Sequence, residues 1–399
     1  MRINLIAFFL TSRKSMGGDT RIMIELAKQI LLQRNDVRLR IFISPEGEQL
    51  FKDNGLVNKR ILYETLPVSA ANSLSFLGHI ELFTSALIFL KNYSFKKGEL
   101  IYTRSHFWPE VFASLYLKKK YKIKWLATMF LFYPLPWKGF EYSYDAKIIF
   151  PSIGDIWKFI YSNISFWFIK NNADLVLITN TSDENYFVNT KIPLARTLAV
   201  YGGLDLQEAA KAKEPKIKIY DGIFVGRLHQ QKGIESLIRI WAKVVKKMPK
   251  ARLAIVGVGD KNYVAHMQQL AIDLHINKSI DWLGYINGVE RYETVKKGKV
   301  FLHTTVYDNN GMTAAEALAA GLPVVRFDLP PLAHVYEKGC LVAKRNDMYD
   351  FANKVLILLT DKREYLRYRK EALIAAKKWN WQRKGKEFLT FLTQNNALA

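Results

Sequence analysis

An arginine and a lysine share one glycine-containing turn, at residues 226–233. The apolar run 222–225 precedes this turn, and residues 234–238 follow it with the apolar spacing of a helix. The pattern predicts a strand, a glycine turn and then a helix. Arg227 and Lys232 would lie beside the helix N-terminus, where backbone N–H groups and the helix dipole favour anions. Two cations in that position predict a site for a diphosphate.

Two carboxylates accompany a second signal of the same kind further along the chain. Asp308 stands at the end of a predicted strand, Gly311 lies in the turn, and Glu316 lies in the helix that follows. Carboxylates accept hydrogen bonds from sugar hydroxyls. A diphosphate site and a hydroxyl site on neighbouring turns together predict a pocket for a nucleotide sugar.

These segments resemble the motifs of the retaining GT-B glycosyltransferases of family four. The G-R-x-x-x-x-K-G turn of that family matches residues 226–233. Its E-x7-E motif matches Asp308 and Glu316 with seven residues between them, so that an Asp replaces the first Glu. Four further segments follow the family's order: 173–179, 202–205, 253–260 and 319–325. The resemblance covers the C-terminal half almost throughout and the N-terminal half only loosely.

The resemblance implies how the donor phosphates are held. Arg227 and Lys232 would stabilise the leaving diphosphate as the glycosidic bond breaks, because fixed cations stabilise charge that develops in the transition state. The turn at Gly311 would bring the backbone N–H groups of Met312 and Thr313 against the same phosphates.

The resemblance also implies how the sugars are held. Glu316 would accept hydrogen bonds from the ribose, and Asp308 would contact the transferred sugar with a side chain about one methylene shorter than the family's Glu. Members of the family retain the anomeric configuration, usually by a same-face route that needs no dedicated nucleophile. No D-x-D motif and no metal-ligand spacing of His or Cys is present, so neither a metal nor a cofactor is expected.

The N-terminal half offers three further candidates. A predicted turn of residues 15–19, which contains Gly17 and Gly18, follows a predicted first strand, and Asp19 is the expected N-cap of the helix after it. In the resembling family this turn lies against the donor phosphates across a cleft. His106 follows another strand and resembles an early His of the family that contacts the sugar. It is a catalytic candidate or, equally, a packed loop histidine. Many members place a functional His near residues 127–130, and this chain has none there.

Apolar strands alternate with helical stretches along the whole chain, which predicts α/β architecture with two doubly wound parallel sheets. The expected strands are 2–10, 37–44, 100–103, 124–129 and 175–179, then 222–225, 252–256, 279–283, 300–303, 324–326 and 340–343. We predict the GT-B fold, with two Rossmann-like domains facing a central cleft. The N-terminal, acceptor-binding domain would span residues 1–200 and the nucleotide-sugar-binding domain 201–376, with a helix in 377–399 returning to the first domain.

The chain of 399 residues carries 59 basic and 36 acidic side chains, a formal net charge of +23. Such a charge favours anionic partners: a nucleotide sugar of the UDP or GDP type, or an anionic membrane surface. A generally basic proteome is an equal explanation. No motif of a nucleic-acid-binding protein is present, so nucleic acid is not expected as a partner. The single cysteine, Cys340, excludes an internal disulfide and is compatible with a reducing compartment.

Aromatic residues are dense between 125 and 168, with lysines among them. Tryptophan, phenylalanine and lysine in amphipathic segments are typical of the membrane interface, and they also suit a helix that covers a sheet. No apolar run reaches the ~18 residues that would cross a bilayer. We therefore expect a cytoplasmic protein, peripheral on the inner face of the membrane, with the role of this segment open between membrane and core.

The function expected from these observations is transfer of a hexose from a nucleotide diphosphate sugar to a glycan or lipid-linked acceptor, with retention. A degenerate GT-B fold that binds nucleotide or carbohydrate without turnover is the first alternative, motivated by Asp308 and by the missing second His. A basic nucleic-acid-binding α/β protein is the second alternative.

Overall fold

The computed structural model describes residues 1–10, 17–71, 76–139 and 148–398, and the chain forms two compact units. The first unit comprises Met1–Tyr133, Ser152–Gly202 and Trp381–Ala399. The second comprises Pro134–Pro151 and Gly203–Asn380. The sequence predicts domains of 1–200, 201–376 and 377–399, with residues 134–151 in the first of them.

The first unit is built on a parallel sheet whose central strands are buried over nearly their whole length. Its strands, in the sheet order β3-β2-β1-β4-β5-β6-β7, are β1 (Arg2–Ala7), β2 (Arg38–Ile43), β3 (Ile61–Thr65), β4 (Leu100–Thr103), β5 (Lys124–Met129), β6 (Leu175–Ile178) and β7 (Thr197–Ala199). Its crossover helices are α1 (Gly18–Gln33), α2 (Pro45–Asp53), α3 (Phe76–Leu90), α4 (Trp108–Tyr121) and α5 (Ile153–Asn172). The chain reverses its direction across the sheet at β1, which pairs with β2 on one side and β4 on the other.

The second unit repeats this plan. Its strands, in the order β10-β9-β8-β11-β12-β13, are β8 (Tyr220–Val225), β9 (Leu253–Val256), β10 (Ile280–Gly284), β11 (Gly298–His303), β12 (Val324–Phe327) and β13 (Cys340–Ala343). Its helices are α6 (Leu206–Lys211), α7 (Ile234–Lys247), α8 (Lys261–Asp273), α9 (Gly288–Lys296), α10 (Met312–Ala319), α11 (Met348–Thr360) and α12 (Lys362–Ala376). The order reverses between β8 and β11. Ligands of open α/β sheets bind at such a reversal, outside the carboxyl ends of the strands.

The last helix, α13 (Trp381–Gln394), packs on α1 within the first unit. Gly385 of α13 lies so close to Gln29 of α1 that a side chain at position 385 would overlap it. Among the helices that the structure describes, none is both long and apolar enough to cross a membrane.

The predicted fold class is confirmed, since both sheets are parallel and doubly wound. The sequence patterns missed two strands, β3 and β7. The residues of β3 are only partly buried and one is exposed, whereas β7 has three residues, so neither offers the apolar run that marks a buried strand.

The expectation that Asp19 caps α1 is wrong. Gly17 occupies the cap position, and the Asp19 carboxylate instead forms an ion pair with Arg104.

Candidate functional site

The turn after β8 holds the predicted phosphate-binding residues. Gly233 ends this turn with φ +64°, and a side chain there would overlap the carbonyl oxygen of Thr304, which follows β11. Arg227 is exposed and lies 3.4 Å from the Gln231 side-chain oxygen. The Gln231 side chain donates to the carbonyl of Tyr307 at 2.9 Å. Glycine is therefore required where the β8 turn approaches β11, and hydrogen bonds join the two turns.

The turn after β11 is organised by Asp308 itself. One oxygen of its carboxylate accepts hydrogen bonds from the backbone N–H groups of Asn310 (3.1 Å) and Gly311 (3.0 Å). Gly311 adopts φ +62° immediately before α10. Met312 and Thr313 form the first turn of α10 and are partly exposed. The first N–H groups of a helix have no intrahelical acceptor, so this end of α10 can bind an anion.

The two predicted motifs meet in an ion pair. The Lys232 ammonium lies 2.7 Å from the second carboxylate oxygen of Asp308, and both side chains are mostly buried, at 20% and 14% exposed. The His303 Nε2 atom lies 3.8 Å from the same oxygen. Burial by itself would raise the pKa of Asp308, but the Lys232 charge and the His303 ring lower it well below its usual value. Burial also lowers the pKa of His303, which leaves that ring neutral.

Glu316 also has a cationic partner. Its carboxylate is 5% exposed and lies 2.9 Å from the guanidinium of Arg291 on α9. Within the described residues, the Arg291 Nε atom is buried and makes no hydrogen bond. The sequence patterns missed Arg291, because an arginine in an amphipathic helix carries no motif. They also missed Tyr336, whose buried hydroxyl lies 2.8 Å from the carbonyl oxygen of Asn310 and supports the turn before α10.

His106, Gly17 and Gly18 belong to the first unit. His106 follows β4, is 5% exposed and stacks on Phe107 with ring centroids 5.0 Å apart. Burial lowers its pKa to about 4, against the opposing effect of Asp19. Its Nε2 atom finds no hydrogen-bond partner in the described part of the chain. Gly17 and Gly18 are exposed at the start of α1, and the preceding Ser15 and Met16 of the predicted turn lie outside the described residues.

Arg104, two positions before His106, is buried and makes several polar contacts within this unit. Its guanidinium is 3% exposed, pairs with Asp19 and lies 3.0 Å from Glu110. It also donates to the carbonyl of Phe9 at 2.7 Å. These bonds tie the ends of β1 and β4 to α1 and α4.

Of the predicted site residues, the structure brings the second unit's set together at one sheet edge: Arg227, Lys232, Asp308, Gly311, Met312, Thr313 and Glu316. Among them, Lys232 pairs with Asp308, and Glu316 pairs with Arg291 of α9. Across the described ranges, no three His, Cys, Asp or Glu side chains come together in a group that could hold a metal ion.

Comparison with known proteins relates part of the chain to a family. Residues 207–375 match the family described as glycosyl transferases group 1. The matched segment contains both turns and both ion pairs. An uncharacterized glycosyltransferase of Methanocaldococcus jannaschii is 39% identical over 103 residues, 26% of each chain. The alpha-monoglucosyldiacylglycerol synthase of Streptococcus pneumoniae is 27% identical over 154 residues, which cover 38% of this chain and 34% of that protein. The chain thus spans about a quarter to a third of the length of these curated relatives.

The solved structures extend the likeness over both units. The crystal structure of the Anabaena protein HepE in complex with UDP and glucose matches with a TM-score of 0.74. The match covers 99% of this chain and 100% of that chain at 15% sequence identity. The chain therefore has the GT-B fold that the sequence predicts, and the match at 207–375 supports the predicted family.

Proposed function

We propose that this protein transfers a hexose from a nucleoside diphosphate sugar to a glycan or lipid-linked acceptor, with retention of the anomeric configuration. The observation that carries the proposal is the Lys232–Asp308 ion pair, 2.7 Å long, at the reversal of the second sheet and next to the start of α10. Lys232, Asp308 and the N-terminal N–H groups of α10 together provide a cation, a carboxylate and hydrogen-bond donors within one site.

The cations and the helix end suit the donor diphosphate. Lys232 provides a point charge and the exposed Arg227 a planar guanidinium that can bind two oxygens. The N–H groups of Met312 and Thr313 add fixed dipoles. Together they would stabilise the diphosphate as it leaves, when its negative charge grows.

The carboxylates suit the two sugars of the donor. Asp308 is ionised at neutral pH, because Lys232 and His303 keep its pKa low, and it can accept hydrogen bonds from the hexose hydroxyls. Glu316 is held by Arg291 and would accept hydrogen bonds from the ribose. The complex of HepE with UDP and glucose supports a UDP-type donor, with a GDP-type donor as the other expectation.

The S. pneumoniae relative is a synthase of a glucosylated diacylglycerol, which supports a lipid-linked acceptor and a peripheral place at the inner face of the membrane. Retention would follow from a same-face route in which the leaving phosphate takes the acceptor proton. That route uses no side-chain nucleophile. We expect no metal or cofactor requirement.

The test is a transfer assay with a panel of UDP- and GDP-sugars and lipid or glycan acceptors, with and without a chelator. Lys232→Ala should lower turnover by ~100-fold or more, as expected for loss of a group that stabilises the leaving charge. Lys246→Ala, at the exposed end of α7, is the matched control. NMR of the product reports the anomeric configuration. Near-normal turnover of Lys232→Ala would refute the phosphate role, and donor binding without transfer to any acceptor would favour the degenerate-fold alternative.

A further inference from the structure

Three helices form one outer layer of the first unit. α3, α4 and α5 connect β3 to β4, β4 to β5 and β5 to β6, which are steps in a single direction across the sheet. Parallel crossovers are right-handed, so all three helices lie on the same side of the sheet. α3 and α5 both pack against α4.

The inner side of α5 packs into the core of the first unit. Phe166 packs edge-on against Phe132 at 5.4 Å, and Phe168 packs against Phe112 at 4.8 Å. Tyr161 and Ile169 are buried. Much of the aromatic content of the segment 125–168 is therefore core packing, although Phe140, Tyr142 and Tyr144 lie outside the described residues.

The outer side of α5 is nevertheless apolar. Its exposed apolar residues recur every three or four positions and so lie on one helix face. They are Ile153, Ile156, Trp157, Ile160, Ile164 and Trp167, with exposures from 36% to 88%. α3 adds Leu77, Ile80 and Ile88. We call these nine side chains the outer stripe.

Exposed lysines stand at one end of the same layer. Lys91, Lys96 and Lys97 follow α3, and Lys119 and Lys120 end α4. The stretches 91–98 and 118–124 contain no acidic residue. Three parallel crossover helices all end at the same edge of a sheet, so these lysines form a basic rim beside the outer stripe.

We propose that the outer stripe and the basic rim are a docking surface for an anionic lipid bilayer. Tryptophan and isoleucine on one face with lysines beside it suit the boundary between headgroups and acyl chains. The lysines match anionic headgroups, in agreement with the net charge of +23. The same net charge opposes the association of a second copy of the chain with this surface.

The proposed docking also predicts where a lipid-linked acceptor would lie, and this step rests on the proposed function. α3 and α5 begin at the carboxyl edge of the sheet, the edge at which His106 follows β4. A bilayer against the outer stripe would place lipid-linked acceptors next to that edge. Ligands of such sheets bind there.

The experiment is vesicle co-sedimentation of the full chain, with phosphatidylcholine vesicles and with vesicles that also contain phosphatidylglycerol, at low and high salt. A stripe variant combines Ile160→Ser, Ile164→Ser and Trp167→Ser. Its matched control combines Leu32→Ser, Val57→Ser and Leu62→Ser, three exposed apolar residues of the same unit outside the α3–α5 layer. A rim variant combines Lys96→Gln, Lys97→Gln and Lys119→Gln.

We expect the wild type to prefer the anionic vesicles, and the stripe variant to bind them at least about tenfold more weakly. The control should bind like the wild type, and the rim variant should lose the anionic preference together with its salt dependence. Equal binding by the stripe variant and the wild type, or no vesicle binding at all, would overturn the proposal. So would a wild-type dimer in analytical ultracentrifugation that the stripe variant abolishes, since the surface would then bind a second copy.

Thermal stabilisation by nucleotide sugars separates this proposal from the proposed function. All three variants should keep the wild-type stabilisation, because none of the substituted residues lies in the second unit. Vesicle binding without thermal stabilisation by nucleotide sugars would support the docking surface and refute the donor site. Thermal stabilisation without vesicle binding would support the donor site and refute the docking surface.

Discussion

The Lys232–Asp308 pair allows stability and chemistry to be separated in one set of variants. At 2.7 Å and an effective dielectric constant of ~20, the gross attraction of the two charges is about 6 kcal/mol, and desolvation offsets much of it. Removing one partner leaves the other charge mostly buried and unpaired. Because both side chains retain some exposure, we expect each of Lys232→Ala and Asp308→Asn to lower the free energy of unfolding by about 2 kcal/mol.

The double variant should recover much of this loss. With both charges removed, neither side chain is left as an unpaired buried ion, so the double variant should be within about 1 kcal/mol of the wild type. For a unit of this size, 2 kcal/mol corresponds to about 4–8 °C in the unfolding temperature. Turnover should behave differently. All three variants should stay ~100-fold or more below the wild type, since restored stability does not restore the transition-state contacts.

Differential scanning calorimetry and the transfer assay measure the two quantities on the same samples. Additive stability losses in the double variant would refute the coupling inferred from the ion pair. Recovery of turnover along with stability would show that Lys232 acts only by neutralising Asp308, and the phosphate role would then be wrong.

Three further substitutions, at Asp308, Arg291 and His106, test other parts of the structure. Asp308→Glu should keep the fold and change the rate or the sugar preference, measured as kcat/KM for several donors; no change in either would mean that the side chain faces away from the donor. Arg291→Ala should raise the donor KM more than it lowers kcat, because it frees Glu316, with partial rescue by Arg291→Lys; equal losses without rescue would indicate a purely structural role. His106 should make the first unit less stable in acid. Its folded pKa of about 4 is below the unfolded value of ~6.5, so its contribution is complete above pH ~6.5 and declines by up to about 3 kcal/mol as the pH falls towards 4. His106→Gln should flatten this pH dependence in urea unfolding, and an unchanged slope would contradict the burial argument.

The sequence predicted the fold because the signals of a doubly wound sheet are local. Apolar strands such as 222–225 and 300–303 end in glycine turns that lead into helices, and each signal fits within about a dozen residues. The patterns failed where the local signal was weak, as at the partly buried β3. They also failed at Asp19, because its carboxylate pairs with Arg104, 85 positions away in the sequence, and does not cap α1.

The sequence alone determined which residues stand at the carboxyl ends of strands, and hence that Lys232, Asp308 and the start of α10 are candidates for one site. Only the tertiary structure decided how they are paired. Lys232 and Asp308 are 76 positions apart, and they touch because β8 and β11 are neighbours at the reversal of the sheet. The partnership of Glu316 with Arg291 and the burial of His106 were decided in the same way. No local pattern contains these contacts, because they depend on which strands and helices lie side by side and on how much solvent the packing leaves around each charge.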